Sequence, residues 1–222
     1  MRKVLCFLCL LLFGFGMLGM AHASLYDLGS GLIYDSILDI TWLEDVNYSK
    51  TSGYDNDGNM TWTEATSWAD VLEYGGFDDW RLPTMPGVGW GYYNRGELGH
   101  MLYVNLDAGG GTFSDGSFVD AYGNTLTFDN FPDPGPYWFW SCSEFDSSIA
   151  LPGYESAWGL KGSGITNIWP KDYLDTSGYS RTYAWVVRDG GSPSPVPVPT
   201  TILLLSTGIV GLAGFGRKRF KK

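Results

Sequence analysis

Histidine and cysteine are nearly missing from this 222-residue chain, with two and three copies, and Lys+Arg number only 14 against 24 Asp+Glu. Each scarcity excludes something. Cys6 and Cys9 lie inside the first apolar run, so once that run is removed Cys142 stands alone and no internal disulfide can form. Disulfide-stapled scaffolds are thereby excluded, and the exported part must hold together by core burial. His22 closes the same run, leaving His100, and one His with one Cys supplies too few ligands for a zinc site. Seven of the basic residues sit in the two end segments while every carboxylate lies between them, so the middle carries 7 Lys+Arg against 24 Asp+Glu, net −17. A field of that sign repels nucleic acid and polyanionic polysaccharide at low salt. Divalent cations are compatible with it, and a solvated acidic surface accounts for it as well.

Long hydrophobic runs are confined to the ends. Arg2-Lys3 precedes an apolar run from Val4 to Met20 and then Ala21-His22-Ala23. This is the pattern of a secretory signal peptide over 1–23 with cleavage before Ser24, or, because the run is long, of an uncleaved anchor. Lipidation at Cys9 does not fit, since Leu8 stands where a small residue is needed.

The C-terminal end has three parts in order: a Pro-rich linker over 191–199, an uncharged apolar run over 200–216, and the basic tail Arg217-Lys218-Arg219-Phe220-Lys221-Lys222. Proline continues neither helix nor sheet, the run reaches the lower length limit of a transmembrane helix, and the basic cluster stays cytoplasmic. With Val196-Pro197-Val198-Pro199 at the motif position, the end resembles the PEP-CTERM sorting signal processed by exosortase-type proteases. Val198 stands where that signal usually has Glu. The resemblance implies an inner-membrane-anchored intermediate, then release to the cell surface or extracellular matrix; a permanent tail anchor satisfies the same physics.

Between these ends, residues 24–190 read as one domain. Gly31 to Asp35 and Leu38 to Trp42 are expected as short strands about a turn. Thr61 and Glu64 have capping-box spacing, with Ala65, Trp68, Ala69 and Leu72 on one helical face and Gly75-Gly76 as the stop. A second box, Asn94 and Glu97, opens a short helix weakened by Gly96 and Gly99. From about Asn105 the chain reads as loop-rich, with later strands at Tyr137 to Ser141, Ala157 to Leu160 and Tyr183 to Arg188. Two early helices and short antiparallel strands give an α+β domain.

Three segments carry a resemblance across nearly the whole of this domain: Asp78-Asp79-Trp80-Arg81-Leu82-Pro83-Thr84 with Glu97-Leu98, then Tyr137-Trp138-Phe139-Trp140-Ser141-Cys142-Ser143-Glu144, then Tyr183-Ala184-Trp185-Val186-Val187-Arg188-Asp189-Gly190. In order and spacing they resemble the Lcl C-terminal domain family. That resemblance implies a C-type-lectin-like fold in which first and last strands pair and a long loop region presents the binding surface. It implies no enzyme, and fold does not fix function. Trp80, Arg81, Leu82, Pro83, Thr84, Trp138 and Glu144 are its fold signature. Trp80 and Leu82 share a face, Pro83 fixes the exit, and Arg81 is suited to a bidentate pair with Glu97 or Glu144.

Asp55, Asp57 and Asn59 alternate as in a calcium loop, but Met60 stands where an EF-hand needs Gly, and a polar turn explains them as well. Calcium is thus the one cofactor the sequence raises, and no other metal. The sugar motifs Glu-Pro-Asn, Gln-Pro-Asp and Trp-Asn-Asp of calcium-dependent lectins do not occur. His100 with Cys142 offers a base and a nucleophile on paper, each with an ordinary structural explanation. Glu44, Asp45, Asp78 and Asp79 are the carboxylates from which a hydrolytic pair would be drawn. Aromatics are in excess, at 16% with 10 Trp. Most belong to a core. Trp90, Tyr92 and Tyr93, in a Gly/Pro-rich loop, stack on sugar rings or partners, or fold back on their own domain.

The expected function is a non-enzymatic, exported, envelope-associated binding module of the cell surface, extracellular matrix or biofilm, meeting polysaccharide or surface proteins and no nucleic acid. The alternatives are an exopolysaccharide hydrolase with paired carboxylates and a purely structural matrix protein.

Overall fold

A computed structural model describes residues 25–85, 96–107, 114–132, 137–145, 155–163, 165–174 and 181–191. The chain divides into two units, Met1–Ser192 and Pro193–Lys222, and every described residue belongs to the first. Residues 1–23, the linker beyond Gly191, the apolar run 200–216 and the basic tail lie outside the described residues. Among those described, no helix is long and apolar enough to cross a membrane.

The domain is mixed α+β, mostly strands with few helices. Strands β1 (Leu25–Gly29), β2 (Leu32–Asp35) and β3 (Ile40–Leu43) form an antiparallel meander, followed by the single turn α1 (Tyr48–Thr51) and the helix α2 (Trp62–Val71). Helix α3 (Gly96–His100) runs on into a π-helical turn, Met101–Asn105. The hairpin β4 (Ser117–Val119) and β5 (Thr125–Thr127) precedes β6 (Tyr137–Phe145), β7 (Ser156–Lys161), β8 (Thr166–Pro170), β9 (Arg181–Tyr183) and β10 (Val187–Asp189). One sheet has the order β1-β2-β3-β10 and another β8-β7-β6-β9, with β9 parallel to β6.

Local chemistry accounts for the elements that were expected. In the capping box at α2, Thr61 N donates to Glu64 Oε2 at 2.9 Å and Glu64 N to Thr61 Oγ1 at 3.2 Å. Ala65, Trp68 and Ala69 are buried along the helix, and Gly75-Gly76, both with positive φ, reverse the chain between Tyr74 and Phe77. The β2–β3 turn is held by Asp35 Oδ1, which accepts from the amides of Ile37 and Leu38.

Alternation along the strands sends side chains into two cores. Ile33, Trp42, Phe139, Trp185 and Val187 join one; Leu32, Leu43, Trp140, Ala184 and Val186 join the other. Trp42, Trp140 and Trp185 are fully buried, and the indoles of the last two donate to the carbonyls of Met60 and Leu43, both at 2.8 Å. Truncating either would cost about 3–5 kcal/mol.

Two expectations need correction. The segment Tyr183 to Arg188 is not one strand: it ends β9 in one sheet and begins β10 in the other. Residues 184–186 bridge them, held where Leu43 N donates to Val186 O and the Trp185 indole donates to Leu43 O. The last strand pairs with β3, not with the first strand, because β1 and β10 occupy opposite edges of their sheet. The helix expected at Glu97 is short, Gly96–His100, and continues as the π-helical turn, with Leu98, Met101 and Leu102 buried; Asn94 lies outside the described residues. Strands β1, β4, β5 and β8 were not anticipated.

Candidate functional site

The Trp-Arg-Leu-Pro-Thr segment is a junction and not a strand. Arg81 exchanges two backbone bonds with Val187 of β10, Pro83 O accepts from Cys142 N of β6, and Thr84 O accepts from Leu98 N of α3. Trp80 and Leu82 both enter the second core. Of the two carboxylates open to Arg81, the structure selects Glu97: Nη1 and Nη2 donate to Oε2 and Oε1, each at 2.8 Å, while Nη2 also reaches Asp189. Burial alone would raise the Glu97 carboxyl, but Arg81 and the Thr84 amide, at 2.7 Å, hold it below its ordinary value. The geometry is that of a clasp.

The other sequence candidates are placed as follows. Asp55 Oδ1 accepts from the amides of Asp57 and Gly58, Asp57 Oδ1 from Asn59 N, and Asn59 Oδ1 from Thr182 N. This loop is a chain of side-chain-to-backbone turns that seats β9 beside α2. Among the described residues no group of three or more His, Cys, Asp or Glu is arranged to hold a metal ion.

His100 Nε2 lies 3.7 Å from the buried Asp35, and the Cys142 amide is bonded to Pro83. The Cys142 thiol is exposed by area, yet the protein packed round it costs solvation and pushes it up, away from the thiolate that nucleophilic work needs. Asp79 is engaged bidentately by Arg188, at 2.7 and 3.0 Å. Asp78 lines an open depression of about 470 Å³ with Glu73, Tyr74 and Phe77. Glu44 is raised by burial and then by Asp129, Asp27 and Asp45, while Asp45 caps Asn47 N and accepts from Asn130. Trp90, Tyr92 and Tyr93 lie outside the described residues.

What the sequence reading missed is an aromatic face on the β6–β7–β8 sheet. Trp169 stacks on Tyr173 with ring centroids 4.4 Å apart and planes 22° apart, and meets Trp138 edge-on at 5.6 Å. Gly159 lies between the rings: a Cβ there would stand at ordinary contact distance from Trp169 and Trp138, 3.7 and 3.9 Å, and 3.3 Å from Phe139 O. Lys171 lies 4.5 Å over the Trp62 ring and pairs with Glu144 at 2.9 Å and Glu155 at 3.1 Å. Its backbone takes part too, since Lys171 O accepts from Trp62 N and Thr63 N at the start of α2. Trp138 Nε1 and Trp169 Nε1 are buried donors without a protein acceptor.

Burial costs the Lys171 ammonium solvation, but Glu144 and Glu155 outweigh that and raise it above its ordinary value. The face therefore combines stacked rings, two indole donors and exposed carboxylates. Such a set can pack the C–H side of a sugar ring and bond its hydroxyl or amino groups. A period-two signal was present in Trp169, Lys171 and Tyr173, obscured by Pro170.

No family model, no curated protein and no solved structure matches the chain.

Proposed function

We propose that this chain is an exported, envelope-associated protein whose domain is a non-enzymatic, C-type-lectin-like module of the Lcl C-terminal type that binds extracellular polysaccharide. The observation that carries the binding role is the Trp169–Tyr173 stack beside the Lys171, Glu144 and Glu155 cluster. Trp169 and Tyr173 are half-buried, and stacked rings at a surface next to charged hydrogen-bonding groups are the equipment of a sugar-binding site. The signal-like start and the Val196-Pro197-Val198-Pro199 end support delivery to the surface through a membrane-held intermediate and an exosortase-type protease.

Binding is tested with the full chain purified in detergent and incubated with insoluble polysaccharides, while released reducing sugar is measured in the same tubes. Retention that falls about tenfold in Tyr173→Ala, with unchanged circular dichroism, is the expected result. Retention unaffected by Tyr173→Ala and by Trp169→Phe would remove this face from the reading. Sugar release abolished by Glu44→Gln would replace the binding module with the hydrolase. Fractionating cells that carry the full chain or one ending at Pro195 tests delivery; a mature product still ending at Lys222 would leave a plain anchor.

A further inference from the structure

The charge around the aromatic face narrows the ligand class, an inference that rests on the glycan-binding reading above. Two cations lie at the aromatic face: Lys161, 5.9 Å over the Trp138 ring, and Lys171, whose side chain is only 14% exposed and pairs with carboxylates that are 62% (Glu144) and 82% (Glu155) exposed. The Lys171 ammonium is directed inward, over Trp62 and between its two partners, so the outward surface presents carboxylate oxygens. Asp172, next in the chain, is exposed as well. The wider domain has the same character. Its described residues contain 21 Asp+Glu against six Lys+Arg. Three of those six, Arg81, Lys171 and Arg188, are committed to internal carboxylates. A sulfated or uronate polymer would meet a repulsive field. A neutral polymer would gain stacking and hydrogen bonds but no charge pairing.

We propose that this face binds a cationic amino-sugar polymer, a glucosamine-rich polysaccharide with free ammonium groups. Such a chain offers apolar C–H ring faces to Trp169 and Tyr173 and ammonium groups to Glu144, Glu155 and Asp172. The buried indole donors of Trp138 and Trp169 lie on the same side of the sheet. Carboxylates set beside aromatic rings also suit an ammonium directly, because the ring face and the anion attract it together.

The test uses the full chain in detergent at pH 5.5 with two soluble hexamers of equal length, one of glucosamine and one of N-acetylglucosamine, and heparin as a polyanion. Calorimetry is expected to give about tenfold tighter binding to the glucosamine hexamer, an advantage that shrinks as salt rises from 50 to about 500 mM. Asp172→Asn leaves the Lys171 pairs in place and is expected to weaken the glucosamine hexamer about threefold without touching the acetylated one. Glu155→Gln is expected to act in the same direction, with its melting temperature as the check on folding. Equal binding of both hexamers, unaffected by either variant, would overturn the cationic preference and leave the glycan-binding reading intact. Tightest binding to heparin would overturn the preference as well. Binding to none of the three would remove both the preference and its foundation.

Discussion

Arg81 and Lys171 each sit between two carboxylates, yet the two junctions are built for different ends. Arg81 spans Glu97, whose side chain is only 15% exposed, and Asp189, and its bidentate fork ties α3 to β10 beside the bridge that joins the two sheets. Lys171 is held between carboxylates that face water, and what it organises is a surface. A planar, five-donor guanidinium fixes direction; an ammonium on a flexible stem satisfies whichever oxygens are near. The same count of charges therefore yields a clasp in one place and a presented acidic face in the other.

The largest effect expected from breaking this contrast is at the clasp. Arg81→Met leaves Glu97 buried with only the Thr84 amide and side chain as partners, and unfolding in urea is expected to show a loss of about 2–4 kcal/mol. A loss under about 1 kcal/mol would show that the clasp is ornamental and that the cores alone hold α3.

The clasp also has a pH signature. The Glu97 carboxyl is held below its ordinary 4.5 in the folded state, so its contribution is complete above that value and disappears as pH falls through the lower, folded one. In Glu97→Gln the stability deficit against wild type is expected to be full at pH 6 and to narrow toward pH 3. A deficit constant over that range would mean that the side chain acts by shape and not by charge.

Much of the clasp was legible in the sequence because the chemistry was local. An Arg flanked by Trp, Leu and Pro announces a directional cation, while the choice of Glu97 over Glu144 and the second partner Asp189 needed the third dimension. The α2 capping box was readable for the same reason: Thr61 and Glu64 are three residues apart and need nothing else. Thr61→Ala is expected to cost about 1 kcal/mol in the same urea experiment.

The aromatic face was illegible because its members come from β6, β8 and the residues after it, and because Trp169 and Tyr173 flank Pro170 in a stretch that reads as loop. The alternation of Tyr183 to Val187 was visible as a pattern. That it bridges two sheets, alternating between two cores without strand pairing over 184–186, was not, since periodicity records which way side chains point and not which backbone they bond.

The smallest expected effect sharpens the comparison most. Lys171→Met removes the ammonium that lies over the Trp62 ring but leaves the Lys171 carbonyl in place to accept from Trp62 N and Thr63 N, so the backbone contacts at the start of α2 are kept. What goes is an ammonium paired with two solvent-facing carboxylates, and exposed pairs contribute about 0–1 kcal/mol. Unfolding is therefore expected to shift by less than about 1 kcal/mol, against several for Arg81→Met, although each change removes one cation from two acids. Binding should move the other way. With the lysine gone, Glu144 and Glu155 keep both charges for an incoming ammonium, and affinity for the glucosamine hexamer is expected to rise about two- to threefold, more at low salt than at high. A Lys171→Met protein that unfolds as readily as Arg81→Met would make the second junction a clasp like the first, and the acidic face would then be a by-product of folding.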